Sequence, residues 1–138
     1  MSRANVTERF LRYVKVDTQS SEENSEARKF PSTDKQHNLA KMLADELREM
    51  GADDVYYDER YCYVYARIKN NSDNMNIPTL AYIAHMDTSP EVSGKDVNPQ
   101  IIRDYQGNDI VLGEGSLNAD LAHREGGDNA VRYVLSPR

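Results

Sequence analysis

The stretch TLAYIAHMDTSP, residues 79–90, closes an apolar run with a histidine, skips one residue, and sets an aspartate ahead of a Thr-Ser-Pro turn. An imidazole is a common metal ligand, and the ring presents a fixed lone pair only when its other nitrogen is held by a partner. With one residue between them, His85 and Asp87 face the same way in locally extended backbone. Asp87 can then accept the N–H of the ring nitrogen that is not bound to metal, which selects the tautomer and raises ligand basicity. The same pattern also fits a polar pair closing a strand at the surface, since His-x-Asp specifies only two positions.

The elements around this pair decide where it would sit. TLAYIA is continuously apolar over a strand's length, which predicts a strand buried on both faces of a parallel sheet. In open α/β sheets, ligand sites gather beyond the carboxyl ends of strands, which is where His85 falls. NVTERFLRYVKVD reads as a short helix, with Asn5 and Glu8 at capping-box spacing and Val6, Phe10 and Val14 at helical intervals. Thr18 to Pro31 is polar and rich in breakers, and predicts a mobile loop. A second helix follows, with Thr33 as N-cap, Gln36 three residues on, Leu39, Leu43, Leu47 and Met50 along one face, and Gly51 as the C-terminal stop. DDVYYDERYCYVYARI predicts a β-hairpin turning at Asp58-Glu59-Arg60, with Val55 and Tyr57 on one arm and Tyr61, Tyr63 and Tyr65 packing from the other. KNNSDNMNIP is a linker and SPEVSGKDVNPQ a long loop. IIRDYQGNDIVLG predicts a second hairpin, turning at Gln106-Gly107-Asn108, and the residues from Gly113 on are Gly- and charge-rich with weak periodicity.

Composition narrows the function classes. The 138 residues permit one domain at most, and Leu, Ile, Val and Phe number only 27. That share sits near the roughly 20% below which charged chains stay unfolded, so the core is thin, as in a piece of a larger domain. Net charge of −6 argues against nucleic acid, whose phosphates require clustered Lys and Arg. The longest apolar run, Leu80 to Ala84, is far short of the roughly 20 residues of a membrane span, and the N-terminus has no signal-peptide core. One cysteine, Cys62, permits no internal disulfide, and a cytoplasmic location is expected. Cys62, between tyrosines, reads as a small buried residue, and His37 as a surface residue.

HMDTSP, then SGKDVNPQI, then YQGNDIVLG closely resemble, in order and spacing, the tripeptide-cleaving aminopeptidases of the M20 family of zinc metallopeptidases. RFLRYVKVDTQS and PSTDKQHNLAKMLADELREMGADDV resemble the family's first two helices. The resemblance covers roughly residues 6–113. It implies an α/β fold, with helices on a mixed, partly parallel sheet, of which residues 1–112 form the N-terminal part of the catalytic domain. It implies that His85 is the first ligand of a two-zinc site and that Asp87 is the catalytic-site aspartate orienting it. The implied reaction releases the N-terminal residue of a tripeptide by attack of a metal-activated water.

The family's bridging aspartate, Glu-Glu pair and distal histidine have no match here, and the closing VLSPR resembles the segment that precedes the bridging aspartate. Of the family's ligands this sequence therefore contains one, and the 138-residue chain alone is expected to be inactive. The rival reading is a truncated, non-catalytic product that at most binds a partner or the rest of the enzyme. Residues 113–138 match nothing recognised. His123 and Glu125 repeat the His-x-acid pattern there, near Asp120 and Asp128, and a small self-sufficient metal site with His85 is a third reading; acidic loops are more often simply solvated. Lys95, Asp96 and Asn98 receive no family role and read as a wall of a substrate crevice.

Overall fold

The computed structural model describes residues 6–74, 76–106 and 132–137, the last six as backbone. In chain order these form α1 (Val6–Tyr13), α2 (Glu22–Glu26), α3 (Gln36–Glu49), β1 (Asp53–Asp58), β2 (Tyr63–Arg67), β3 (Val97–Ile102) and β4 (Arg132–Pro137). The chain divides into two compact units, one of residues Thr18–Val92 and one of the residues on either side.

In the Thr18–Val92 unit, α3 packs across the β1–β2 hairpin. It buries Gln36, Leu39, Ala40 and Ala44, whereas Met50 is 58% exposed. Leu39 of the expected leucine face is buried and Leu43 and Leu47 are half-buried, and the buried stripe extends to Ala40 and Ala44 rather than to Met50. The start of α3 also differs from expectation. Lys35, not Thr33, occupies the cap position and makes no side-chain cap bond, while the Thr33 hydroxyl donates to the Gln19 carbonyl at 2.8 Å. The first turn is closed instead by amides reaching back three residues, His37 to Asp34 at 3.3 Å and Asn38 to Lys35 at 3.2 Å. The far end is as expected. Gly51 adopts φ +81°, its amide bonds the Arg48 carbonyl and the Ala52 amide bonds the Leu47 carbonyl, each at 3.0 Å. This is the Schellman pattern, which needs a left-handed residue at that point.

The hairpin β1–β2 is antiparallel, with Tyr56 opposite Tyr65 and Asp58 opposite Tyr63. Its turn is held by the Asp58 carboxylate, which accepts the amides of Arg60 at 2.9 Å and Tyr61 at 3.1 Å. Val55, Tyr57 and Val64 are half-buried and Cys62 is buried. Tyr56, Tyr61, Tyr63 and Tyr65 are exposed, where they pack on one another rather than into a core, with ring centroids 6.1–6.4 Å apart between successive partners. Alternation along β1 and β2 puts Tyr56, Tyr63 and Tyr65 on the face opposite the half-buried Val55, Tyr57 and Val64.

The segment expected to be a mobile loop is instead ordered by short polar side chains. Ser21 caps α2 by accepting the Asn24 amide at 3.2 Å, its own amide bonds Ser32 Oγ at 3.1 Å, and Asn24 Nδ2 reaches the Ser32 carbonyl at 2.8 Å. Such side-chain-to-backbone bonds give the chain a local structure that hydrophobic periodicity does not report. Phe30–Pro31 is a cis peptide bond.

The expected buried strand is overturned. Residues 77–84 carry no strand, and Leu80, Tyr82 and Ile83 are 75%, 93% and 98% exposed. A parallel-sheet strand exists only when neighbours supply both its ladder and its covers. Among the described residues β1 and β2 are joined in a two-stranded sheet and neither pairs with this run. The expected partly parallel sheet is likewise reduced to one parallel bridge, Gln19 to Thr88; both described sheets are antiparallel.

In the other unit, α1 forms where the periodicity places it, although none of its residues is buried and Asn5 lies outside the described residues. β3 pairs antiparallel with β4, from Val97 opposite Pro137 to Ile102 opposite Arg132. The strand thus begins inside the segment expected to be a loop and takes its partner from the C-terminal stretch. The turn at Gly107 and Asn108 and the second arm of the expected hairpin lie outside the described residues, as does the expected domain boundary at residue 113. Pro99, which has no amide proton to offer a ladder, is tolerated in a sheet that has two strands among the described residues.

Candidate functional site

His85 and Asp87 come together as their spacing requires, without the strand expected to carry them. His85 Nδ1 lies 2.9 Å from the Asp87 main-chain oxygen and 3.1 Å from Asp87 Oδ1. A carbonyl oxygen can only accept, so Nδ1 carries the proton in this arrangement, and in the neutral ring the lone pair is on Nε2. That is the tautomer a metal ligand needs when its outer partner is a carboxylate. The side chains are exposed, His85 at 85% and Asp87 at 47%, so the pair stands at a surface with the imidazole open to a ligand.

What holds this stretch in place is the residue after the aspartate. The Thr88 amide donates to the Thr18 carbonyl at 3.1 Å, and the Thr88 carbonyl accepts from the Ser20 amide at 2.9 Å. Gln19, between those two partners, sends Nε2 to the Pro90 carbonyl at 2.9 Å. Gln19 is itself fastened to the approach to α3, its carbonyl by the Thr33 hydroxyl at 2.8 Å and its Oε1 by Lys35 Nζ at 3.5 Å. Thr18 is buried, as is Ser32. Pattern reading misses Gln19 and Thr33 in this role because a bridge across such a sequence distance leaves no local signature. The available signal was the density of hydroxyl and amide side chains over residues 18–33.

The donor set fits one corner of a zinc site and not a whole one. A catalytic zinc needs about three protein ligands, and among the described residues no three of His, Cys, Asp and Glu gather. His123, Glu125, Asp120 and Asp128 lie outside the described residues. His37 is not at this corner. Rather than standing free on the surface, it is half-buried and hydrogen-bonded through Nδ1 to the Tyr57 hydroxyl, with the two rings edge to face at 6.1 Å and 74°. Lys95, Asp96 and Asn98 belong to the other unit. Burial raises the Cys62 thiol pKa above its ordinary 9.0, so it stays protonated and is a poor nucleophile.

No helix among the described residues is long and apolar enough to cross a membrane. No protein-family model matches the chain. Curated relatives do. The chain is 49% identical over 111 residues to "Peptidase T" of Alkaliphilus oremlandii (strain OhILAs), an alignment covering 80% of the chain and 26% of the relative. It is 54% identical over 110 residues to "Peptidase T" of Clostridium perfringens (strain 13 / Type A), with 80% and 26% covered. It is 55% identical over 107 residues to "Peptidase T" of Caldanaerobacter subterraneus subsp. tengcongensis, with 78% and 25% covered. The chain spans about a quarter of the length of these relatives. Agreement this high along four fifths of the chain is not the product of a short shared motif, and the chain belongs with the peptidase T sequences as an N-terminal portion of that family.

Proposed function

We propose that this chain is the part of an M20-type zinc aminopeptidase that brings the first metal ligand, and that the complete enzyme removes the N-terminal residue from tripeptides in the cytoplasm. His85 is the ligand, through Nε2, and Asp87 orients it. The observation that carries this reading is the Nδ1–H contact of His85 with the main-chain oxygen and Oδ1 of Asp87, in a chain similar to peptidase T over most of its length. Residues 1–112 would be the beginning of the catalytic domain. Among the described residues no three metal-ligating side chains gather, and the share of this chain in the hydrolysis is to aim one imidazole and hold it there. The 138-residue chain by itself would not turn over.

The test is a chimera in which residues 6–113 replace the corresponding segment of the Clostridium perfringens peptidase T. It should hydrolyse tripeptides, and His85→Ala should lower kcat/KM by more than about 100-fold, beyond the loss usual for an outer-shell partner. The isolated chain with added zinc should release no product. A His85→Ala chimera as active as its parent, or turnover by the isolated chain, would overturn the reading.

A further inference from the structure

We infer that Gln19 is a positioning residue for the His85–Asp87 pair, acting through the backbone of Thr88 and Pro90. The inference deepens the proposed function and rests on it only for its consequence in catalysis. Part of the restraint on the imidazole comes from main chain, since the Asp87 carbonyl is the nearer of the two acceptors, at 2.9 Å against 3.1 Å for the carboxylate. The direction of that carbonyl is set by the peptide plane it shares with the Thr88 nitrogen. That plane is held by the Thr88 amide's bond to the Thr18 carbonyl at 3.1 Å, and the next by the Thr88 carbonyl's bond from Ser20 at 2.9 Å. Two bonds of one isolated bridge make a weak hinge, because no ladder continues on either side. The Gln19 side chain adds the third point of attachment, Nε2 to the Pro90 carbonyl at 2.9 Å, and stops rotation about that hinge.

The direction of the Gln19 amide follows from chemistry. Lys35 Nζ can only donate, so the group facing it at 3.5 Å is Oε1, and the group facing the Pro90 carbonyl is the NH2. Thr33, whose hydroxyl holds the Gln19 carbonyl at 2.8 Å, lies just ahead of α3, which contributes most of the buried apolar residues in the unit. The sequence of contacts therefore runs from the best-packed helix through Thr33 and Lys35 to Gln19, from Gln19 to Thr88 and Pro90, and from there to Asp87 and the ring of His85.

The experiment reads the ring directly. In the 15N-histidine-labelled 138-residue chain, at a fixed pH where His85 is neutral, the wild type should show His85 chiefly as the Nδ1–H tautomer. Gln19→Glu retains an oxygen for Lys35 but has no donor for the Pro90 carbonyl. It should lower the ratio of Nδ1–H to Nε2–H by about fivefold, the factor expected for one net hydrogen bond, with the far-UV circular dichroism unchanged. Thr33→Val, which removes the other attachment, should move the ratio in the same direction. Should Gln19→Glu unfold the chain, Thr33→Val decides. A folded variant with the wild-type tautomer ratio, or a wild type with no preference for Nδ1–H, overturns the inference. Because the readout is a tautomer ratio and not turnover, its failure is separate from a failure of the chimera to hydrolyse tripeptides.

Discussion

Both oxygens that hold the His85 ring belong to Asp87, one from the main chain and one from the carboxylate, 2.9 and 3.1 Å from the same nitrogen. Removing the carboxylate therefore leaves an acceptor behind. In the chimera, Asp87→Ala should lower kcat/KM by about 10-fold, the low end of the range for an outer-shell partner, and clearly less than His85→Ala. Steady-state kinetics on the two variants check this. Equal losses would mean that the carboxylate does more than orient the ring.

Tyr57 and Cys62 make the fold sensitive to alkali. Burial raises the pKa of Tyr57 above its usual 10.0, with the charges of Cys62, Glu59 and Asp58 adding to the effect, and burial alone raises Cys62 above 9.0. Both groups hold their protons more tightly in the folded state than in the unfolded one. Their contribution is complete below pH 9.0 and is lost as pH rises through 9.0 and 10.0 toward the folded values. Thermal melts across pH 8 to 11 should show stability falling with pH, and Tyr57→Phe should flatten the upper part of that fall.

The His37–Tyr57 hydrogen bond ties α3 to β1. Tyr57→Phe keeps the ring and removes the hydroxyl, so at neutral pH it should cost about 1 kcal/mol by urea denaturation. His37→Ala in the Tyr57→Phe background should add less than it does alone, and strict additivity would exclude the bond as a contributor.

Gly51 ends α3 at φ +81° with no atom within 4 Å of where a Cβ would sit. The cost of Gly51→Ala is then conformational and not steric crowding, about 1 kcal/mol. Gly51→Asn, which tolerates the left-handed region better, should cost less than Gly51→Ala. Denaturant midpoints of the two variants give the comparison.

Ala40 is wholly buried where α3 meets the hairpin. Ala40→Leu should destabilise the unit by about 1–3 kcal/mol through overpacking, while a leucine at exposed Lys41 should change stability little. A neutral Ala40→Leu would show that the helix can retreat from the sheet.

Much of the local architecture was legible in sequence. Gly51 ends α3 where its type and position require, the hairpin turns at Asp58, and His85 and Asp87 meet because one residue separates them. The errors have a common physical origin. Leu80, Tyr82 and Ile83 carry a strand's composition, yet a strand needs a ladder, and none of the described strands pairs with them. Thr33 looked like a helix cap because its own neighbourhood favours one, but its hydroxyl is engaged by Gln19, far back in the chain.

Short-range chemistry was thus set by residue type and spacing: the pairing of His85 with Asp87, the hairpin, the helix and its stop. Those outcomes depend on atoms a few residues apart, which any chain of this sequence brings together. The tertiary structure decided which face of α3 is buried, which tyrosines are exposed, and that Gln19 braces the turn after Asp87. Each of these depends on contacts between segments distant in the chain, whose geometry no local pattern encodes.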